Sequence, residues 1–268
     1  MMVTGNGTAS RPKEVRTMKA WHEEDAFWRK WAPFLFEERR WQQAQDEVAN
    51  IISLLKLSPG ASVLDLCCGS GRHSLQLAQT GFSVTGVDRT KTYLQKARKQ
   101  AAREGLDIEF ICADMRDFCR PNAFDAVVNL FTSFGYFEDI SDDKKVIANV
   151  YRSLKNGGVF LIDTMGKEVL ARIFRERDWY EAHGFLVLQE RKVSRDWGWM
   201  EGRWIMVKDG KVEEYEVSHR LYSATELAAL LNDCGFTAVD AYGDLTGVPY
   251  DQTAKRLVVV AYKGKKKA

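Results

Sequence analysis

The sequence predicts an α/β protein whose core is a doubly wound, mostly parallel β-sheet with helices on both faces. Short apolar segments, each the length of one buried strand, alternate with segments of helical periodicity up to residue 163. A glycine-rich turn joins the first of these strands to the helix that follows it. After residue 184 the strand patterns follow one another directly, which predicts an inserted antiparallel meander before the sheet resumes.

The first strand, turn and helix lie within residues 62–88. Val63-Leu64-Asp65-Leu66 has the length and polarity of a buried strand, and the small residues 67–71 predict a turn. A helical pattern follows, Gly81 closes it, and a second strand ends on Asp88. This order of strand, glycine turn, helix, strand and acid is typical of half of a nucleotide-binding βαβ unit.

The later elements follow from the same periodicities. We expect helices over 39–57, 90–103, 141–154, 168–175 and 223–234. We expect further core strands over 107–112, 124–130, 159–163, 235–242 and 255–262. Three alternating segments, 185–193, 199–207 and 212–221, predict the meander, and Asp209-Gly210 is a strong hairpin signal between the last two.

The residue types of the glycine turn favour a bound ligand. Gly69 and Gly71 have no side chains, so a ligand can approach the backbone closely. Asp88 follows Gly69 by 19 residues (88 − 69), a spacing that suits a carboxylate accepting hydrogen bonds from ribose hydroxyls. The strict dinucleotide pattern has a third glycine where this chain has Ser74, which weakens a nicotinamide or flavin enzyme without excluding it.

This stretch resembles the first motif of the class I, Rossmann-like S-adenosylmethionine-dependent methyltransferases of small-molecule type. That motif reads acid-x-G-x-G-x-G, and here it runs from Asp65 to Gly71 with Cys67 at the first glycine position. The resemblance covers residues 54–263 and implies seven strands, the last antiparallel to its neighbour. It implies S-adenosyl-L-methionine as cofactor and methyl transfer to a small-molecule acceptor, with oxygen, nitrogen and carbon nucleophiles all open.

The resemblance also implies site residues. In the family, an acid after the third strand receives the adenine amino group and the next backbone N–H meets a ring nitrogen, positions held here by Asp114 and Met115. The implied cofactor-binding set is Asp65, Cys67, Gly69, Gly71, Asp88, Arg89, Asp114, Met115, Asn129 and Leu130. The implied substrate-binding set is Trp28, Phe131 and Tyr136. No catalytic residue is assigned; Tyr136, His183 and His219 are candidates for a general base by residue type alone.

The loop after the fourth strand gives evidence on the chemical class of the methyl acceptor. Methyltransferases that modify exocyclic amines in nucleic acids or protein amides often carry an Asn/Asp-Pro-Pro-aromatic motif there. This chain keeps Asn129 but continues with Leu130-Phe131-Thr132, so that class loses support. The aromatic residues of 131–137 favour an apolar or planar small molecule, with a loop that merely covers the sheet edge as the alternative.

We divide the chain into four parts: an N-terminal arm and helical cap (1–57), a cofactor-binding core (58–164), an inserted helix and meander (165–222), and the completion of the core sheet (223–268). The polar residues 1–17 read as a frayed arm. The aromatic stretch 21–36 is either a lid over the site or a helix that simply packs on the core. We expect the meander to determine substrate specificity, with subunit contact as a further option.

Composition limits the class of protein. The formal net charge of +2 gives no reason to expect a nucleic-acid partner. The sequence has no apolar run of membrane-spanning length and no secretory h-region. Five cysteines without a C-x-x-C pair predict a reduced cytoplasm, with neither a disulfide framework nor a zinc site. A homodimer stays an option, and so do a cofactor-binding regulatory module without turnover and a nicotinamide-dependent oxidoreductase.

Overall fold

The computed structural model describes residues 20–264, so the predicted arm and most of the basic tail lie outside the described residues. The helices are α1 (Asp25–Leu35), α2 (Glu38–Leu55), α3 (Arg72–Gln79), α4 (Lys91–Glu104), α5 (Ile140–Ser153), α6 (Lys167–Ile173) and α7 (Ala224–Asp233). The strands are β1 (Ser62–Leu66), β2 (Ser83–Asp88), β3 (Ile108–Cys112), β4 (Phe124–Asn129), β5 (Leu154–Thr164), β6 (Arg177–Ala182), β7 (Phe185–Ser194), β8 (Trp199–Lys208), β9 (Lys211–Arg220), β10 (Ala238–Tyr242) and β11 (Leu257–Tyr262).

Seven of the strands form the core sheet, in the order β3-β2-β1-β4-β5-β11-β10. The first five are parallel, and β11 runs antiparallel to both β5 and β10. The predicted doubly wound, mostly parallel fold with an antiparallel last strand is confirmed. The strand order reverses between β1 and β4, which is where α/β sheets of this kind hold their ligands.

Apolar side chains cover both faces of this sheet. On one face, residues such as Val127 and Phe160 pack against α5 and α7, and on the other, Ala126 and Val128 pack against α2. Strands that are apolar on both faces explain why the sequence shows continuous rather than alternating runs. The helix α7 begins with the predicted capping box between Ser223 and Glu226.

The inserted sheet has four antiparallel strands, in the order β6-β7-β8-β9, not the three predicted. The missed strand, β6, is an edge strand whose residues are mostly exposed, so it lacks an alternating apolar pattern. It joins β7 through His183 and Gly184, both with positive φ, and Asp209-Gly210 makes the same kind of turn between β8 and β9. The hairpin predicted at Asp209-Gly210 is therefore confirmed.

The N-terminal cap joins the two sheets. Phe27, Trp31 and Phe34 of α1 pack against Val187, Met206 and Val217 of the inserted sheet. Further contacts are a hydrogen bond from Trp21 Nε1 to the Ser218 carbonyl (2.8 Å) and an ion pair between Lys30 and Glu213 (2.5 Å). The helix α2 packs on the core sheet through Val48, Ile51 and Leu55. The cap thus holds the inserted sheet beside the carboxyl ends of the core strands.

Within residues 20–264, no helix combines the length and the apolar character that crossing a bilayer would require.

Candidate active site

A cavity of about 330 Å³ lies over the carboxyl ends of β1, β2 and β4 and beneath the cap. Its volume falls within the range of small-molecule sites, roughly 300–1,000 Å³. Most of the site residues implied by the sequence line it: Trp28, Asp65, Cys67, Gly69, Asp88, Arg89, Asp114, Met115, Leu130, Phe131 and Tyr136. Gly71 and Asn129 do not.

The glycine turn explains why Gly71 lies outside the cavity. A Cβ atom at Gly71 would come within 2.9 Å of Ala97 Cβ and 3.2 Å of the Phe110 ring, so this glycine allows α3 to pack closely on its neighbours. A Cβ atom at Gly69 would instead lie 2.9 Å from the ring of Phe36, a cap residue that lines the cavity. Gly69 therefore allows close approach from the cavity side.

Asn129 and Asp65 support the floor of the cavity. Asn129 is fully buried and donates from Nδ2 to the Leu66 carbonyl (3.1 Å), which ties the end of β4 to the end of β1. Asp65 is buried, which raises its pKa, and it accepts a hydrogen bond of 2.6 Å from the Ser74 hydroxyl. Ser74 occupies the position of the third glycine in the dinucleotide pattern, and here it fastens α3 to β1.

Asp88 is the best-placed acid for a ribose. Its two carboxylate oxygens accept the backbone N–H groups of Gly69 (2.9 Å) and Thr90 (2.7 Å). Each oxygen keeps lone-pair capacity for a further donor, because an ionised carboxylate has about four acceptor sites. Burial raises the pKa of Asp88, although the two backbone donors oppose that shift. The arrangement fits two adjacent ribose hydroxyls.

Asp114 is a second acid in the wall of the cavity, and Arg116 holds its carboxylate. The guanidinium donates to both carboxylate oxygens, at 3.0 Å from Nε and 2.8 Å from Nη2. Partial burial alone would raise the pKa of Asp114, but the hydrogen bonds from Arg116 outweigh it and lower the pKa. The N–H of the neighbouring Met115 has no acceptor among residues 20–264. A carboxylate acceptor beside an unused donor fits the amino edge of an adenine.

Four contacts fasten the cap beside the acids Asp88 and Asp114. Arg89 Nη1 donates a hydrogen bond to the His22 carbonyl at 2.9 Å and forms an ion pair with Asp25 at 3.7 Å. Glu23 pairs with Arg116 at 2.8 Å, and the Tyr93 hydroxyl donates to the Trp28 carbonyl. The cap is therefore held by residues that adjoin the acids Asp88 and Asp114.

The mouth of the cavity is aromatic. The rings of Trp21, Trp28 and Tyr136, which we name the aromatic mouth, lie with centroids 5.0 to 6.3 Å apart. Burial raises the pKa of Tyr136, so its phenol is neutral at physiological pH. Two of the predicted substrate residues, Trp28 and Tyr136, thus belong to one cluster.

The third predicted substrate residue, Phe131, lies in a strained loop. Phe131 and Thr132 have φ values of 56° and 61°, a left-handed conformation that is unfavourable for residues with a Cβ atom. The loop is held by Asp163, whose Oδ2 accepts the Phe131 N–H (3.1 Å) while its Oδ1 accepts from Arg256 (2.7 Å). The Arg72 guanidinium lies 4.1 Å from the Phe131 ring centroid. Arg72 and Arg256 thus flank this ring, each paired with an acid, Glu47 and Asp163 respectively.

A larger groove, of about 1,130 Å³, adjoins the aromatic mouth on the side of the inserted sheet. His22 and Tyr136 line both the groove and the cofactor-sized cavity, so they form the partition between the two. Charged residues dominate the groove wall, with seven glutamates against five lysines and arginines: Glu24, Glu138, Glu176, Glu190, Glu201, Glu214 and Glu216 against Arg177, Arg191, Lys192, Arg195 and Arg203.

The candidate bases suggested by residue type lie elsewhere, apart from Tyr136. His183 is partly exposed and faces Glu37 at 3.4 Å, and it lines neither the groove nor the cavity. His219 also lines neither, and burial lowers its pKa to about 4. The histidine at the partition is His22, which sequence reasoning missed because nothing in its local pattern distinguishes it from an ordinary packing residue.

The described residues hold no cluster of potential metal ligands, and all five cysteines are free thiols. The thiols of Cys67 and Cys68 have pKa values raised by burial, so neither is a reactive thiolate.

The comparisons with known proteins agree with this geometry. Residues 63–158 match a family model described as a methyltransferase domain. The glycine/sarcosine N-methyltransferase of Aphanothece halophytica is 29% identical over 238 residues, which cover 87% of each chain. The fold is similar to an S-adenosylmethionine-dependent methyltransferase from Clostridium acetobutylicum (TM-score 0.73, 19% identity, 90% of this chain and 99% of that one). It is also similar to the sugar N-methyltransferase KedS8 from Streptoalloteichus (TM-score 0.58, 21% identity, 98% and 100%).

The fold, the glycine turn and the paired acids define an enzyme that binds an adenosine-containing cofactor. Residues 63–158 match a methyltransferase domain and the fold is that of the Rossmann-like methyltransferases; the enzyme catalyses methyl transfer with S-adenosyl-L-methionine as cofactor.

Proposed function

We propose that this enzyme transfers the methyl group to a nitrogen atom of a small, cationic amine. The observation that carries the proposal is that His22 and Tyr136 line both the cofactor-sized cavity and the groove, whose wall has more glutamates than basic residues. We place the acceptor at this boundary, beside the aromatic mouth. Aromatic faces attract cationic ammonium groups, and glutamates provide the long-range attraction for such a molecule.

Different residues of the cavity would bind different parts of the cofactor. We propose that Asp88 accepts the ribose hydroxyls, that Asp114 and the Met115 N–H meet the adenine, and that the turn from Cys67 to Gly69 lies beneath the methionyl part. Arg89, Leu130 and Asp65 complete the walls or the support of this site. When bound, the cofactor supplies an activated methyl group on a sulfonium, so the protein chiefly has to position the acceptor.

Positioning is a large part of the catalysis we propose. Holding two reactants in line can lower a barrier by about 7–11 kcal/mol at best. The aromatic mouth would orient the amine, and the cap would exclude water from the reacting atoms. Phe131 and its loop would shape the far wall of the acceptor site. The positive charge of the acceptor would be attracted by the carboxylates of Glu24 and Glu216 in the groove wall. These carboxylates make no hydrogen bond or ion pair within residues 20–264.

A curated similarity that spans most of this chain supports nitrogen as the nucleophile. The glycine/sarcosine N-methyltransferase aligns over 87% of this chain, which includes the inserted sheet. The ubiquinone biosynthesis O-methyltransferase of Actinobacillus pleuropneumoniae aligns over only 42% of this chain. A hydroxyl acceptor is the second candidate on that account.

The remaining expectations stay proposals of the same kind. We propose that the inserted sheet determines which acceptor is bound, since it supplies most of the groove wall. We propose a cytoplasmic location, supported by five free thiols, and no nucleic-acid partner, supported by the balanced charge. A homodimer through the inserted sheet is an option that sedimentation equilibrium would decide.

A screen of acceptors that detects release of S-adenosylhomocysteine tests the proposal. The panel contains glycine, sarcosine, a free amino hexose and a free amino pentose as amines, with 4-nitrocatechol and a simple sugar as hydroxyl acceptors. We expect turnover with at least one amine and a kcat/KM above that of every hydroxyl compound. Turnover of hydroxyl compounds alone would reject nitrogen as the acceptor atom.

A further inference from the structure

We infer that His22 is the general base that takes the proton from the acceptor. The inference rests on the proposed function only in requiring an acceptor atom that carries a proton, whether nitrogen or oxygen. His22 is 6% exposed, yet its side chain lines both the cofactor-sized cavity and the groove. Within residues 20–264 no group makes a hydrogen bond to its imidazole, so a nitrogen is available to an acceptor in the mouth.

The imidazole is held rigidly although it has no hydrogen bond of its own. Its ring stacks on Tyr136 (centroids 5.9 Å apart, planes at 23°) and meets the edges of Phe137 (5.3 Å) and Trp21 (5.8 Å). The backbone of the same residue is fixed by the two hydrogen bonds to its carbonyl, from Arg89 and Trp28. Such packing without a competing partner is what a base needs to meet an acceptor in one orientation.

The surroundings keep the imidazole neutral. Burial lowers the pKa of His22 below its ordinary 6.5, and the nearby charges of Arg116 and Arg89 lower it further, while Glu23 and Asp114 oppose the shift. Tyr136, which stacks on the ring, is neutral at the same pH because burial raises its pKa. At pH 7 the imidazole is therefore an acceptor of protons. Glu23 and Asp114 are placed to stabilise the imidazolium once it forms.

The step balances without a further reactant. The ammonium group of the acceptor first gives a proton to the neutral imidazole of His22, which frees a lone pair on nitrogen; a hydroxyl acceptor gives its proton to the imidazole as its oxygen attacks. The lone pair then forms the bond to the methyl carbon, the carbon–sulfur bond breaks, and its electron pair stays on sulfur as S-adenosylhomocysteine. The proton leaves His22 through the groove to water, which regenerates the neutral base.

The variant H22Q tests the inference, with H183Q as the matched control because His183 faces Glu37 away from both cavities. The probe is the compound of the acceptor screen with the highest kcat/KM, whether amine or hydroxyl. We expect kcat of H22Q to fall by about 10²- to 10⁴-fold, while the affinity for S-adenosylhomocysteine changes less than about threefold. The fall in kcat/KM with a midpoint below 6.5, which reports protonation of His22 and not of the amine acceptor, should disappear in H22Q and persist in H183Q.

Two results would overturn the role. One is a kcat of H22Q within about threefold of the wild type with the acid limb intact. The other is an equal loss of kcat and of S-adenosylhomocysteine affinity in H22Q while kcat/KM still falls at acid pH. That result would show that His22 only packs against its neighbours. If H22Q does not fold, H22A assayed with and without added imidazole replaces it; rescue of kcat by imidazole supports the role and its absence contradicts it.

A measurement that needs no acceptor separates this inference from the proposed function. Histidine NMR signals of the wild type with S-adenosylhomocysteine are compared with those of H22Q, so that the signal of His22 is identified by its absence. A titration midpoint below 6.5 supports a neutral base, and a midpoint above 7 overturns it. If the screen finds only hydroxyl acceptors, the amine proposal fails while this result and the kinetic test of His22 remain valid.

Discussion

Arg116 and Glu23 form an ion pair of 2.8 Å, and the same nitrogen of Arg116 lies 2.8 Å from a carboxylate oxygen of Asp114. One guanidinium therefore joins the cap to the acid proposed to receive the adenine. Phe137 supports it from below, with its ring centroid 4.5 Å away. The side chains of Arg116 and Glu23 are only 23% and 32% exposed. We expect their ion pair to stabilise the closed cap by about 0.2–1 kcal/mol.

The variant E23Q should loosen the cap over the cofactor. Loss of the charge weakens one of the four contacts that fasten residues 21–35, so hydrogen exchange there should accelerate by about two- to fivefold with S-adenosylhomocysteine bound. The variant K145Q is the control, since Lys145 forms an exposed pair with Asp117 on the surface. Unchanged exchange of the cap in E23Q would show that Glu23 does not fasten it, and equal exchange with and without ligand in the wild type would reject the lid.

The variants D88A and D88N should weaken binding of S-adenosylhomocysteine. Two hydrogen bonds to a charged acceptor are lost in D88A, and since one such bond is worth about 1.5–3 kcal/mol, we expect the affinity to fall by at least roughly ten- to 150-fold. D88N keeps one acceptor oxygen and should lose less. Calorimetry measures both, with the exposed D46N as control. An affinity of D88A within about twofold of the wild type would remove Asp88 from the ribose site.

The variant E216Q tests the charge of the groove. Its carboxylate has no hydrogen bond or ion pair among the described residues, so its removal should act on the acceptor. We expect KM for a cationic amine to rise about three- to tenfold at low salt, with kcat unchanged, and the difference to shrink near 0.5 M salt. E104Q, on the far surface of α4, is the control. A similar KM for E216Q and the wild type at low salt would separate Glu216 from acceptor binding.

Asp143 should make stability depend on pH. It is fully buried, accepts a hydrogen bond from Tyr222 (2.7 Å), and its pKa is raised by burial from 3.8 to about 6. Because the folded state then binds its proton more tightly than the unfolded state, the stabilisation is present at acid pH and is lost as pH rises through 6. The free energy of unfolding of the wild type should fall by about 2 kcal/mol relative to D143N between pH 4.5 and 7.5. Urea unfolding at both pH values measures it, and parallel curves for the two proteins would contradict it.

The core sheet was predictable because most of its strands are short apolar runs bounded by turn residues, although β3 and β10 each contain an acid. Strand β6 was not, since an exposed edge strand such as Arg177–Ala182 needs no apolar pattern to pair with β7. The cofactor acids Asp88 and Asp114 are implied by motif position, and both line the cavity. Gly71 shares the motif but serves helix packing, a distinction that depends on the neighbours Ala97 and Phe110.

The residues that line the groove and its boundary with the cavity could not be predicted from local sequence patterns. His22 and Tyr136 are separated by more than a hundred residues, and only the folded cap places one ring on the other. The excess of glutamates in the groove arises from strands that pair across turns, while the chain as a whole is balanced in charge. Residue type alone therefore pointed to His183 and His219, which the fold places away from both cavities.

The central claim is tested most directly by the position of the transferred methyl group. The enzyme is incubated with S-adenosylmethionine that carries a trideuterated methyl group and with the best amine of the screen, and the product is analysed by mass spectrometry and NMR. We predict one trideuteromethyl group on nitrogen for each S-adenosylhomocysteine released. A label found only on oxygen or carbon, or S-adenosylhomocysteine released without labelled product, would contradict the account.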